Sequence, residues 1–185
     1  MMKKLLSVLF TISLISFSAG EISFKKQREK EVQEQEKLLK EQGNRESIDK
    51  TKTVRKNNNK NNIRNKIIEE AKKKLGSPYL WGASGSEKFD CSSFVQYVYK
   101  KAANLSLPRV AAEQAQFKPK ISTATLVKKG DLLFFETLEK GRISHVGIYI
   151  GGGQFIHASS AYKQVTVSSL SGFYREKFRW AISVI

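Results

Sequence analysis

The C-terminal part of the chain contains five short segments rich in β-branched and aromatic residues, namely VKKGDLLFFE, HVGIYIG, QFIHAS, KQVTVSSL and FRWAISVI. Turn signals separate them, and such segments are typical of an antiparallel sheet. Before them lies a helical pattern that we expect to end at Gly76. Its apolar side chains recur at every fourth residue, at Ile63, Ile67, Ala71 and Leu75. Helices followed by strands predict an α+β domain.

A second helical pattern begins at or near Cys91, the only cysteine, with Asp90 in a good capping position. The free amide groups and dipole at a helix N-terminus favour a thiolate, so we expect the pKa of Cys91 to be lowered toward neutral pH. The alternative is that Cys91 is a small buried hydrophobic residue. The predicted helix carries an apolar stripe of Phe94, Val95, Val98, Tyr99 and Ala102.

The only two histidines, His145 and His157, lie on neighbouring predicted strands that three consecutive glycines connect. A three-residue turn would pair Ile150 with Gln154 and would place His157 opposite Gly147. His157 would then be a diagonal neighbour of His145 on the same face. A two-residue turn would send His157 to the opposite face, so a shared histidine site depends on the longer turn.

One thiol at a helix N-terminus and two imidazoles on neighbouring strands are the groups of a cysteine hydrolase: a nucleophile, a general base and an orienting third group. Each histidine taken alone is better explained as a hydrogen-bonded strand residue. The three together are better explained as a site. Zinc binding is the competing use of these groups, but no obvious carboxylate or second cysteine stands at metal-ligand spacing.

Residues 1–20 have the layout of a secretory signal peptide, with two lysines, a short apolar run and small residues before Glu21. The run is short for a membrane span. We therefore expect a soluble, exported mature chain that begins near Ala19 or Glu21. In an oxidising compartment a lone cysteine forms no internal disulfide, so it is either inert or a reactive thiol.

Residues 21–62 are polar, and we interpret them as a partly helical or disordered spacer. Residues 25–42 fit a solvated helix with Glu and Lys pairs, whereas the Asn/Lys-rich run from Gly43 onward predicts disorder. A coiled-coil or partner-binding arm is the alternative, but Val32, Leu38 and Leu39 do not sustain a heptad. The folded domain is predicted to span residues 63–185, close to the typical size of one domain.

The chain is strongly basic, with a formal net charge of +16. A basic surface would concentrate an exported protein on a polyanionic cell wall by electrostatic attraction. Nucleic acid is the competing explanation for so basic a chain. The export signal and the lack of an ordered aromatic platform argue against nucleic acid.

Four ordered runs, GSPYLWGASGSEKFDCSSFVQYVYKKA, SLPRVAAEQAQ, KKGDLLFF and SHVGIYIGGGQFIHASS, resemble the NlpC-type peptidoglycan endopeptidases. These are papain-like cysteine peptidases of the bacterial cell wall. The resemblance covers about residues 67–185 and implies a papain-like fold, with the nucleophile at a helix N-terminus packed on the sheet. It implies that Cys91 is the nucleophile, that His145 is the general base, and that His157 is the polar third member.

The resemblance also implies a tyrosine near the nucleophile, Tyr79, whose hydroxyl would help to stabilise the oxyanion. It places Asp90 and Ser92 in substrate-binding positions beside the nucleophile. The departures from the family pattern are Ala83 and Ser93, which take places often held by glycine and would alter the shape of the pocket.

The implied substrates are peptidoglycan stem peptides, usually cleaved between D-glutamate and the diamino acid, with no metal or organic cofactor. We expect a monomer in the periplasm or outside the cell, associated with the wall. The alternative is a non-catalytic peptidoglycan-binding or scaffold protein with the same fold.

Overall fold

The computed structural model describes residues 19–122, 124–138 and 141–185. Apart from its last two residues, the predicted leader therefore lies outside the described residues. Within those ranges no helix is both long enough and apolar enough to span a membrane. The chain divides into two units, residues 1–54 and residues 55–185.

Helix α1 spans Ala19–Lys72, and in the first unit its described side chains are all exposed. The prediction of disorder from Gly43 onward is wrong, because α1 continues through this run. The prediction considered only how little apolar surface the run can bury. Lys, Glu, Gln and Arg have favourable helix propensities, and oppositely charged side chains one turn apart support an exposed helix.

In the second unit, the C-terminal end of α1 contributes to the core. Ile67 and Ala71 are fully buried and Ile63 is partly buried, as the four-residue spacing predicted. Leu75 is 45% exposed, contrary to that pattern, because α1 ends at Lys72 and the chain has already left the helix.

Helix α2 spans Cys91–Ala103, and its predicted start and cap are both confirmed. Asp90 accepts a hydrogen bond from the Ser93 amide, and the Ser93 hydroxyl in turn accepts one from the Asp90 amide. This reciprocal pair satisfies two of the donors that a helix start leaves free. Phe94, Val95, Val98 and Tyr99 are buried, and Ala102 packs at the edge of the same core.

Six antiparallel strands form one sheet in the order β1-β6-β2-β3-β4-β5. The two-residue strand β1 was not predicted; the other five coincide with the segments recognised in the sequence. The strands are β1 (Lys120–Ile121), β2 (Leu132–Phe135), β3 (His145–Gly151), β4 (Gln154–Ser159), β5 (Gln164–Ser169) and β6 (Phe178–Ile182). The second unit also contains the short helices α3 (Ala111–Gln114) and α4 (Phe173–Lys177) and a 3₁₀ turn (Ala124–Leu126).

The sheet separates two hydrophobic clusters. The larger lies on the face that packs against α2 and includes Phe134, Val146 and Ile148. The smaller lies on the opposite face, where Phe135 and Phe155 pack against residues of α4 and β6. The α+β prediction is confirmed, with α2 packed on an antiparallel sheet.

Candidate active site

The β3–β4 hairpin brings the two histidines together by a different turn from the one predicted. Gly151 pairs with Gln154, so only Gly152 and Gly153 form the turn, and both have positive φ, +62° and +69°. Positive φ at both central residues is the type I′ pattern, which glycine adopts without strain. The prediction of a three-residue turn is therefore wrong.

A β-bulge restores the predicted register. The pairing shifts between Tyr149 and Gly151, so the intervening Ile150 is an extra residue on β3. The bulge adds to β3 the residue that the shorter turn lacks, and Tyr149 therefore pairs with Phe155. The predicted placement of both histidines on one face is confirmed, since their rings are in contact.

Gly147 provides the space in which the second histidine ring sits. A Cβ atom built on Gly147 would lie 2.5 Å from Cδ2 of Phe155 and 3.2 Å from Cβ of His157. Any larger residue would therefore collide with the side chains of Phe155 and His157.

The histidine rings form a hydrogen-bonded pair. Nε2 of His145 lies 2.7 Å from Nδ1 of His157, and Nε2 of His157 lies 2.8 Å from the Ser168 hydroxyl. His157 is fully buried. Both ring nitrogens of His157 are therefore engaged, whereas the contact leaves Nδ1 of His145 for another partner.

Burial keeps both histidines uncharged at neutral pH. It lowers the pKa of His145 to about 4. Burial, with a further contribution from His145, lowers the pKa of His157 to about 2. A neutral imidazole has one unprotonated ring nitrogen, which is the form that a general base requires.

An aromatic cluster covers the histidine pair from α4. The Tyr174 ring stacks on His145 at a centroid distance of 6.3 Å and meets His157 edge-on at 5.3 Å. Burial raises the pKa of its hydroxyl, and the nearby Ser159 and Ser168 hydroxyls act in the opposite direction. Sequence reasoning missed Tyr174 and Ser168. The short connection between QFIHAS and KQVTVSSL was the signal that could have placed Ser168 beside the histidine strand.

The Cys91 thiol lies at the start of α2 and is 7% exposed. Burial and the negative charge of Asp90 raise its pKa to about 11, although backbone hydrogen bonds from Val146, Ser92 and Cys91 act in the opposite direction. The prediction of a pKa near neutral is wrong, because desolvation outweighs the helix N-terminus. The Val146 amide directly follows His145, so the thiol lies against the start of β3.

Asp90 forms a tight polar network with Arg109 and Ser92. Arg109 donates to both carboxylate oxygens, at 2.6 and 3.2 Å, and to the Ser92 hydroxyl at 2.8 Å. Burial raises the pKa of Asp90, but hydrogen bonds from Arg109, Ser93 and Ser92 and the Arg109 charge outweigh it, and the net shift is downward. Arg109 also donates to the Ala83 carbonyl at 2.9 Å, which ties the loop before α2 to this network.

Sequence reasoning assigned no role to Arg109 or Gln114, although both lie in one of the recognised runs. The buried Gln114 amide donates to the carbonyls of Ser92 and Pro108, at 3.1 and 2.8 Å. The two residues together hold the first turn of α2 against the loop before α3. Only the folded chain brings this loop beside Ser92, so no local signal identifies their partners.

Tyr79 lies near the thiol, as its position in the PYLWG segment led us to expect. Burial and the neighbouring Cys91 and Asp90 raise its pKa to about 12. Its hydroxyl therefore stays protonated at neutral pH and is able to donate a hydrogen bond.

A cleft of about 390 Å³ opens over the start of α2. Its lining includes Cys91, Asp90 and Ser92, and also Ser144, the residue before His145. Apolar and basic side chains also line it, and among them Trp81 is 76% exposed. The others include Val110, Leu138, Arg109 and Arg142. Within the part of the chain that the structure describes, no three His, Cys, Asp or Glu residues cluster in a way that could hold a metal ion.

Comparison with known proteins identifies relatives of this part of the chain. The family model described as NlpC/P60 family matches residues 76–184. The chain is 45% identical over 109 residues to gamma-DL-glutamyl hydrolase of Bacillus subtilis. The aligned region covers 58% of this chain and 26% of that protein. The chain is 35% identical over 115 residues to murein DD-endopeptidase MepH of Escherichia coli, covering 61% of this chain and 41% of that protein. The chain thus spans well under half the length of these two relatives.

Among solved structures, the NlpC/p60 domain of the peptidoglycan hydrolase SagA matches with a TM-score of 0.58 and 36% identity. The match covers 65% of this chain and 98% of that domain. The predicted papain-like fold is confirmed by this likeness.

Proposed function

Because this chain belongs to the NlpC/P60 family, we propose that it is a cysteine peptidase that hydrolyses an amide bond in peptidoglycan stem peptides. The observation that carries the proposal is the 2.7 Å contact between His145 on β3 and His157 on β4, together with the Val146 amide of β3, which acts on the Cys91 thiol. This arrangement supplies a nucleophile, a base and an orienting group.

The first half-reaction transfers the substrate acyl group to sulfur. His145 Nδ1 takes the thiol proton as Cys91 Sγ attacks the carbonyl carbon of the scissile amide. Because the resting thiol has a raised pKa and the resting imidazole a lowered one, proton transfer accompanies attack instead of preceding it. The protonated His145 then gives its proton to the leaving amine, the C–N bond breaks, and a thioester remains on Cys91.

The second half-reaction releases the acid product. His145, neutral again, takes a proton from water as the water oxygen attacks the thioester carbonyl. The C–S bond breaks, and the proton returns from His145 to the sulfur. The thiol and the imidazole are both regenerated and only the substrate and water are consumed, so these steps need no cofactor.

The negative oxygen that forms in each attack needs hydrogen-bond donors. We propose that backbone amides at the start of α2, with the Tyr79 hydroxyl, supply them. The Cys91 and Ser92 amides already direct hydrogen bonds toward the thiol, and Tyr79 keeps its proton at neutral pH. Losing one such donor costs about 10²–10³-fold in kcat in other hydrolases.

We propose that the scissile bond joins D-glutamate to the diamino acid. The name of the Bacillus subtilis relative specifies a glutamyl bond, whereas the name of the Escherichia coli relative specifies a DD bond. This chain is 45% identical to the former and 35% identical to the latter, which favours the glutamyl bond. The cleft provides the cation of Arg142 for a substrate carboxylate and the Ser92 hydroxyl for hydrogen bonding. Asp90, held by Arg109, lies beside Ser92 where it would contact the bound peptide.

We also propose that the protein is exported as a monomer and acts at the cell wall. Residues 1–20 would be removed as a signal peptide, residues 21–62 would act as a spacer, and residues 63–185 would form the peptidase domain. The exposed polar side chains of α1 in the first unit support electrostatic association with an anionic wall. So does the net charge, which is +16 for the whole chain and +14 once Lys3 and Lys4 are removed with the leader.

Digestion of purified muropeptides by the full chain, followed by mass spectrometry of the fragments, tests the function and the bond together. We expect fragments that end at D-glutamate. Cleavage of a cross-linking DD bond alone would overturn the bond assignment but keep the peptidase. Binding of muropeptides without any cleavage would instead support the non-catalytic alternative.

A further inference from the structure

We propose that Ser168 and Tyr174 are positioning residues that fix the tautomer of His157 and, through it, the protonation pattern of His145. The inference rests on the proposed function for its effect on turnover, but the tautomer itself is a property of the free protein. Neither residue belongs to the nucleophile, base and third-member set that the sequence predicted.

Continuous hydrogen bonds link these residues to the histidine pair. The Ser168 hydroxyl lies 2.8 Å from Nε2 of the fully buried His157. The hydroxyls of Ser168 and Ser159 lie close enough to the Tyr174 hydroxyl to act on its pKa, and Ser159 is itself 1% exposed. The imidazole therefore has a protein partner on each nitrogen, and the ring of Tyr174 covers it.

The direction of these hydrogen bonds depends on which group receives the Ser168 hydroxyl proton. If Ser168 gives its single hydroxyl proton to Tyr174, its oxygen accepts from Nε2–H of His157. Nδ1 of His157 then carries the lone pair and accepts from Nε2–H of His145. That leaves the lone pair of His145 on Nδ1, the nitrogen that the contact with His157 does not use.

The opposite direction would give an inactive pattern. If Ser168 donated to Nε2 of His157, the proton of His157 would lie on Nδ1 and would point at Nε2 of His145. His145 would then carry its own proton on Nδ1 and would have no lone pair for the thiol proton. Since the partner of one imidazole nitrogen sets the protonation of the other, the acceptor role of Ser168 selects the active tautomer.

Nitrogen NMR of the histidine rings in the full chain tests this directly, because the protein contains only two histidines. We expect both rings in the wild type to be protonated on Nε2 and unprotonated on Nδ1. Ser168→Ala should give His157 a mixture of tautomers, and Ser168→Thr, which keeps a hydroxyl, should restore the wild-type pattern. Protonation of wild-type His157 on Nδ1 would overturn the proposal.

Ser169→Ala is the matched control. Ser169 is the next residue on β5, is exposed, and bonds to the Ser171 hydroxyl instead of to a histidine. The same substitution there should leave both ring spectra and turnover unchanged. A Ser168→Ala spectrum as unaltered as that of Ser169→Ala would also overturn the proposal.

Kinetics with a stem-peptide substrate give the second readout. Ser168→Ala should lower kcat by about 10- to 100-fold with KM nearly unchanged, because a buried donor loses its partner without loss of substrate contacts. Tyr174→Phe, which keeps the ring packing, should lower kcat in the same way, and Ser168→Thr should recover most of the activity. If Ser168→Ala has the kcat and the tautomers of an active wild-type enzyme, the positioning role alone is refuted. If the wild type shows the expected tautomers but cleaves no stem peptide, the peptidase proposal alone is refuted.

Discussion

Gly147→Ala should disturb the histidine pair through a single methyl group. The added Cβ would lie 2.5 Å from Cδ2 of Phe155, about 1 Å closer than carbon atoms normally pack. Phe155 is fully buried, and its ring centroid lies 5.0 Å from that of Phe135 and 4.9 Å from that of Tyr174. The Phe155 ring therefore has little space into which it can move. The methyl group must therefore shift Phe155, His157 or the strand itself.

We expect this overpacking to lower the free energy of unfolding by about 1–3 kcal/mol. The backbone at Gly147 does not require glycine, since its φ is not in the positive range, so the effect comes from packing. We also expect kcat to fall, because His157 Cβ lies 3.2 Å from the new methyl group. The 2.7 Å contact between the two histidine rings depends on the position of His157. Denaturant unfolding and steady-state kinetics on the same preparation measure both effects.

Gly85→Ala is the control for this substitution. Gly85 also lacks a positive φ, and nothing lies within 4 Å of a Cβ built there. The control should have wild-type stability and activity. If Gly147→Ala were equally silent, the close packing of Gly147, Phe155 and His157 would be refuted as the origin of the histidine geometry.

Four further results are expected. His157→Ala should lower turnover strongly yet leave more activity than His145→Ala. Asn or Gln at position 157 should retain more activity than Ala, because the side-chain carbonyl still accepts the ring N–H of His145. Unchanged kinetics for His157→Ala would leave a Cys–His dyad. The free energy of unfolding should be nearly constant between about pH 8 and pH 6.5. Toward pH 4 it should fall by at most about 1.4 kcal/mol per pH unit for each histidine, because the lowered pKa values let the unfolded state bind protons first. A flat profile between about pH 6.5 and pH 4, measured by denaturant titration, would contradict this. Alkylation of Cys91 in the free protein should accelerate with pH toward the raised thiol pKa of about 11, whereas a plateau at neutral pH would show a lowered one. Arg142→Gln should raise KM for a stem peptide by about 10-fold, because Arg142 lines the cleft. Arg55→Gln, at an exposed position of α1, should leave KM unchanged. Equal KM values for the two variants would show that Arg142 does not bind the substrate.

Local signals account for the parts of this structure that the sequence predicted. The start of α2 follows from Asp90 and the apolar stripe behind it, because caps and helical periodicity lie within a few residues. The placement of both histidines on one face followed from strand alternation. That placement was right although the turn was wrong, since the bulge at Ile150 compensated for the shorter turn.

The parts that the sequence could not predict depend on the folded environment. The pKa of Cys91 is set by burial and by Asp90, and a motif does not state how deeply its thiol is buried. Arg109 reaches Asp90 across 19 residues of chain, so no local pattern indicates that contact. The exposed helix after Gly43 shows that a low apolar content does not by itself specify disorder.

Substitution of the nucleophile tests the central claim most directly. We expect purified Cys91→Ala to produce no detectable fragments from muropeptides that the wild type cleaves, while its unfolding transition and circular dichroism remain those of the wild type. The small buried side chain should be replaced at little cost in packing, because Cys91 is one residue at the edge of a large core. Cleavage by the folded Cys91→Ala protein at a rate near that of the wild type would contradict the assignment of Cys91 as the covalent nucleophile.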